Sequence, residues 1–385
     1  MTYRRRTILA LLIALLLPGC GDDDDGRPLP AAATSRPSGA ALDLALKPLT
    51  PLLPNRPTHA TVDRLGNVYW VQETDRGDDT MFVIGEGGIP RATQLTVPNV
   101  AALLGAGSGA RGNIHGIAAA SEAGGDVYFY FQGTEGRRTL ACIGAFTPKT
   151  ERVRVLADSD GVAAATGMGR SLPLARASVC SDGRVAWVWL RHTDNWAVFR
   201  LDPVRLPTSG PAQLQRAFES VRLNGQAVEM TRDGMEIAPA PGGALFLLDI
   251  PGARLLQIAP DGTATLVRPL AGLPAPLSAP AVDREQNLVL FAGNGNLIGV
   301  KGQDTSVAAA VAAAKVDSTY PAMLIFKPDK VVSIGRDEMQ AYPGFPVFSM
   351  RLRQLIPHAR DGGWVSYDAG SGELLHVKIV ENLWR

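Results

Sequence analysis

Four ionisable residues stand near the start of four similar phrases: His59, His115, Arg176 and Glu236. Two imidazoles and a carboxylate make a donor set for a divalent metal with one coordination position left open. A guanidinium beside them can grip a carboxylate or a phosphate through paired N–H groups. The plainer alternative is that each side chain bonds water or a loop carbonyl at the mouth of a channel. Chemistry of either kind requires elements that bring the four residues to one place.

Those elements are legible in the phrases themselves. They read HATVDRLGNVYWV at His59–Val71, HGIAAASEAGGDVYFYF at His115–Phe131 and RASVCSDGRVAWVWL at Arg176–Leu190. They continue as EIAPAPGGALFLLD at Glu236–Asp249, APAVDREQNLVLFA at Ala279–Ala292 and IPHARDGGWVSYD at Ile356–Asp368. Each is an apolar run, a tight polar turn and a second apolar run rich in aromatic residues, which predicts a β-hairpin. Gly66-Asn67, Gly124-Gly125, Asp182-Gly183, Gly242-Gly243 and Gly362-Gly363 supply residues that accept the positive φ of such turns. The second run of each hairpin is almost continuously apolar, so it needs cover on both faces, which stacked sheets provide. Recurrence at intervals of several tens of residues indicates a repeat architecture. With a further strand or two per unit, each repeat makes one blade of a β-propeller.

The fourth unit, EIAPAPGGALFLLDIPGARLLQIAPDGTATLV, resembles the repeat of NHL-type β-propellers: a hairpin ending in Asp249, a strand carrying Arg254, and a Pro260-Asp261-Gly262 turn. The first unit matches in part, with Glu73 near the place of Asp249, while units two, three and five keep the hairpin alone. The resemblance implies an all-β, six-bladed propeller over most of residues 58–380, of a kind that more often binds than catalyses. The chemistry of such folds sits where the innermost strands meet the central channel, which is where the alignment puts His59, His115, Arg176 and Glu236. Metal-dependent lactonases of the regucalcin type share the architecture, but their Glu-Gly-Pro-x-Trp opening is absent here.

Ring closure has its own signal. After Gly372 the last unit has one further strand, Glu373–Val380, and lacks an outer one. Leu42–Leu46 alternates apolar and other residues as an edge strand does, so it is expected to complete the sixth blade, with Pro48, Pro51 and Pro54 stopping it. The Ala-rich run Ser306–Lys315 predicts a short helix inserted in the fifth unit.

The N-terminus carries a localisation signal. Arg4-Arg5-Arg6 precedes the apolar run Ile8–Leu17, which is too short to span a bilayer, and Leu17-Pro18-Gly19-Cys20 resembles the lipobox of bacterial lipoproteins. The expected organisation is a signal peptide at 1–19, a flexible Asp-, Pro- and Ser-rich tether at 20–41 beginning with a lipidated Cys20, and the propeller at 42–385. The domain then lies in the periplasm or outside the cell, with the membrane as one partner and an envelope protein or small ligand as the other. An oxidising compartment favours a disulfide between Cys142 and Cys180, with two buried thiols as the alternative. A net charge of +1 and the lack of basic runs interleaved with aromatics exclude nucleic acid as a partner. The expected role is a binding or scaffolding module of the cell envelope needing no cofactor. A metal-dependent hydrolase or lyase, using a divalent ion on His59, His115 and Glu236, is the competing expectation.

Overall fold

Turn chemistry organises the hairpins. In the first, Gly66 has φ 85°, and Asp63 Oδ1 accepts the N–H groups of Leu65 and Asn67, each at 2.9 Å. In the third, Asp182 Oδ1 accepts from Arg184 and Val185 at 2.8 Å. A carboxylate thereby satisfies two turn amides that would otherwise depend on water. Gly262 is required twice over: its φ is 86°, and a Cβ there would stand 2.1 Å from the Ser220 carbonyl oxygen.

The computed structural model describes residues 42–50, 55–75, 77–85, 88–120, 125–169 and 175–269; beyond these it describes 281–282, 288–292, 296–300, 323–326, 331–334, 352–358, 360, 363–368 and 374–381. They form six sheets, ordered along the chain. The first blade runs outward through Pro57–Val62, Val68–Glu73, Asp79–Ile84 and Arg91–Thr96. The second runs through Arg111–Ala119, Val127–Glu135, Arg138–Thr147 and Arg152–Ala157. The third has Arg176–Ser181, Ala186–Arg191 and Trp196–Leu201, extended by a bridge from Phe199 to Arg216. The fourth has Met235–Pro239, Leu245–Asp249, Arg254–Ile258 and Thr263–Pro269, and the short hairpin Arg222–Leu223 and Gln226–Ala227 lies along its outer edge. The fifth begins with Ala281–Val282 and the sixth with Leu352–Pro357. The first strands contact one another in succession, and Leu352–Pro357 returns to Pro57–Val62. This cycle is a closed ring of blades, and the protein is a β-propeller.

Between the blades lies the core. Trp70, Tyr69, Phe129, Phe131, Tyr128, Tyr130, Trp187 and Trp189, all from second strands, are essentially inaccessible to solvent. Alternate residues face opposite neighbours: Phe129 and Phe131 join Tyr69 and Met81 between blades one and two, while Tyr128 and Tyr130 join Val188 and Phe199 between blades two and three. The continuous apolar runs are explained by this two-sided burial, at about 1.5–3 kcal/mol for each large side chain removed from water.

Closure is by the N-terminal strand. Leu42–Pro48 pairs antiparallel with Leu374–Glu381, in a register from Leu42↔Glu381 to Pro48↔Leu375, so the sixth sheet takes its outer strand from the other end of the chain. An otherwise open edge is thereby paired. Residues 40–385 form one compact unit. The stretches expected to form a signal peptide and a tether, with Cys20, and the expected helix Ser306–Lys315 lie outside the described residues.

Two helices were not anticipated. Val97–Leu103 starts where the Thr96 side chain accepts the Asn99 N–H, with proline in the first turn. Ser159–Thr166 starts on Asp158, which accepts from Gly161 at 3.0 Å, and ends on Gly167 at φ 68°. Both sit between an outer strand and the next blade, and their caps outweigh the modest apolar periodicity of such short segments.

The expected disulfide is not formed: Cys142 and Cys180 are both unbridged. Cys142 faces the core between blades one and two, whereas Cys180 packs against the core between blades three and four. The sheets of blades two and three stand between them, and burial pushes both thiols well above their ordinary range.

Candidate functional site

The predicted site residues all lie on innermost strands: His59, Arg176 and Glu236 within the first three residues of theirs, His115 at the middle of the longer Arg111–Ala119. His59 pairs with Val71, Arg176 with Arg191 and Glu236 with Leu248. His115 sits in a bulge between the pairs Ile114↔Phe131 and Ile117↔Phe129. Gly116 allows that bulge, with φ 136° and no room for a Cβ beside Val179. His59 and Glu236 are each three residues before the last pair of their hairpin, whereas Arg176 lies five before it, one pleat farther out along the strand.

The four residues divide into two groups. His59 and His115 are electrostatic neighbours, and Asp79 joins them from the third strand of blade one. Asp79 is 3% exposed and accepts the Ile114 N–H at 2.8 Å. Burial pushes its carboxyl up despite that hydrogen bond and one from the Asn113 side chain. Removal from water, with a smaller contribution from His115, pushes His59 down to about 4. His115 is also pushed down by burial, with Asp79 opposing. Near neutral pH this group therefore presents two uncharged imidazoles, able to donate and accept hydrogen bonds.

Around Arg191, the last residue of the second strand of blade three, the other group assembles. Its guanidinium carbon lies 4.4 Å from the centroid of the Trp189 ring, and Nη1 donates to the carbonyls of Met235 at 2.6 Å and Arg232 at 3.3 Å. Arg176 is ion-paired with Asp233. Burial depresses the Arg191 pKa, the Arg176 charge adds to this, and Glu236 and Asp233 oppose it. An open cleft of about 600 Å³ lies here, between blades three and four. Of the four predicted residues, it takes in Arg176 alone.

Among the described residues no three His, Cys, Asp or Glu side chains come together as metal ligands. His59, His115 and Glu236 are thus not assembled as the competing metal-enzyme expectation requires: the two imidazoles meet each other, while Glu236 acts on Arg191. Arg191, Arg232, Asp233 and Asp79 were missed at the level of sequence. Arg191 had a usable signal, since it is as far beyond the four-residue turn Asp182–Val185 as Arg176 is before it, which places the two opposite each other. The loop carrying Arg232 and Asp233 has no such marker.

No protein-family model matches the chain, and no curated protein matches it significantly. Among solved structures, a protein of unknown function from Bacteroides thetaiotaomicron aligns over 88% of this chain and 76% of its own, at 10% identity and a TM-score of 0.48. YCF48 from Cyanidioschyzon merolae aligns over 86% and 98%, at 12% identity and a TM-score of 0.48. Virginiamycin B lyase from Staphylococcus aureus aligns over 88% and 100%, at 13% identity and a TM-score of 0.41. At these values the likenesses carry no activity over to this chain.

Proposed function

We propose that this protein is an exported, lipid-anchored β-propeller of the NHL type that binds a ligand at the end of the ring where its innermost strands begin. The observation that carries the reading is the clustering of ionisable side chains there, on rigid strands, beside a cleft of the size small-molecule sites have. Arg191 is fixed in advance by an aromatic face and two carbonyls, so little ordering is left for binding to impose. The NHL comparison is supported by the fourth blade, where Arg254 Nε donates to Asp249 Oδ2 at 2.7 Å just before the Asp261-Gly262 turn. Export and anchoring rest on the basic and apolar N-terminal run ending at Cys20.

Two experiments test the two halves. Cys20→Ser should move the protein out of the membrane fraction or leave an unprocessed precursor; normal cleavage with equal solubility of both forms contradicts the anchor. For binding, small polar solutes are screened by melting temperature against the wild type and against a five-residue variant with His59→Ala, His115→Ala, Arg176→Gln, Arg191→Gln and Glu236→Gln. Hits should stabilise only the wild type. Solutes that act equally on both proteins, or on neither, would overturn the binding face.

A further inference from the structure

The cleft between blades three and four has a charge inventory that selects a ligand. Among the residues lining the cleft, Arg176, Arg191 and Arg232 face Glu229 and Asp233, leaving one positive charge with His192 set aside; Glu236, whose charge also reaches Arg191, lies outside the lining. Arg232 Nε donates to Glu229 at 2.6 Å, and Arg176 is held by Asp233. Arg191 is different. Nη1 is engaged by two carbonyls, but among the described residues no carboxylate lies within ion-pair distance, and neither Nε nor Nη2 has an acceptor. In the indole beneath its guanidinium, Trp189 Nε1 is buried, also without an acceptor among the described residues. Donors are in surplus at this point, and what is missing is an anion with two oxygens.

We propose that this cleft binds a small monocarboxylate, its two oxygens on Nε and Nη2 of Arg191 and its uncharged polar body against Thr231 and His192. The proposal rests on the binding face described above and names its ligand class. One surplus charge matches a monoanion. A doubly charged phosphate would instead have to displace Asp233 or Glu229 from its arginine. The cleft is far larger than a carboxylate, so the remainder of the ligand is a body carrying hydroxyl or amide groups, suited to threonine and imidazole walls.

The test is calorimetric titration of the full-length chain in detergent with N-acetylalanine, its uncharged isostere N-acetylalaninamide, and inorganic phosphate. The acid should bind, with the amide and phosphate each about tenfold weaker or worse, as expected when a charge-assisted pair is lost. Arg191→Gln should cost the acid a similar factor. Because Arg191 also holds the Arg232–Met235 loop, Asp233→Asn is measured in parallel: releasing Arg176 from its carboxylate should tighten the acid by up to about fivefold. A purely structural role for these charges gives no such gain. The proposal is overturned if the amide matches the acid, if phosphate binds more tightly, if Asp233→Asn weakens binding, or if the acid fails to bind at millimolar concentration. Should the acid fail while other solutes still stabilise the wild type alone, the ligand class falls and the binding face stands. Should no solute distinguish wild type from the five-residue variant, both fall.

Discussion

Single side chains in this molecule differ sharply in consequence according to burial, even where the sequence places them alike. Asp249 and Glu73 both end the second strand of a blade, yet Asp249 is fully buried, accepting from Gly252 N–H and Arg254 Nε, while Glu73 is exposed. Asp249→Ala leaves a half-buried guanidinium and a turn amide without their acceptor and should cost about 2 kcal/mol. Glu73→Ala should stay within about 0.5 kcal/mol in the same urea unfolding series. His59 makes a pH prediction. In the fold it titrates near 4 and in the unfolded chain near 6.5, so the unfolded chain binds more protons across that window. The stability conferred by the neutral ring is complete above pH 6.5 and is lost as pH falls toward 4. Asp79, whose carboxyl is pushed up, works in the opposite sense, so the measurement is the difference between wild-type and His59→Gln stability curves. That difference should shrink as the solution is acidified between pH 7 and 4; a constant difference would show that His59 is not held neutral. Cys142 and Cys180 should both alkylate in unfolded, unreduced protein, and reductant should leave the melting temperature unchanged.

Strands were readable because five of the six hairpins announce themselves twice, by an aromatic second run and by a turn with glycine. Trp187, Val188, Trp189 and Leu190 are all buried because two different neighbours cover the two faces of one strand, which is why alternation is missing from the sequence there. The closing strand was readable from Leu42–Leu46 for the converse reason: an edge strand alternates. The helices at Val97–Leu103 and Ser159–Thr166 were not, since they are seven and eight residues long and are set by caps rather than by an apolar stripe. The site was half legible. Residue types at the strand starts were correctly placed on innermost strands, but which pairs meet depends on pleat and register, and the pleat aims His59 toward blade two and Arg176 toward blade four. Closure gives the prediction proper to this scale. Deleting residues through Ala41 should cost little, whereas deleting through Pro54 removes the outer strand of the sixth blade and should lower the melting temperature sharply or give insoluble protein. Equal stability of the two truncations would contradict the closure.

The described residues form a ring whose two ends have different chemistry. At one end lie the hairpin turns, whose carboxylates Asp63 and Asp182 are committed to their own turn amides. At the other, the strand starts gather His59, His115 and Asp79 on one side and Arg176, Arg191 and Asp233 on the other, with charges and donors not all consumed internally. This second end is where we propose that the protein meets its ligand. Hydrogen exchange of the full-length chain, read by mass spectrometry with and without N-acetylalanine, tests it most directly. The predicted result is slowed exchange in peptides covering residues 189–193 and 229–235, with the turns at 63–67 and 182–185 unchanged. Protection at those turns, or no difference anywhere at saturating acid, would contradict the account.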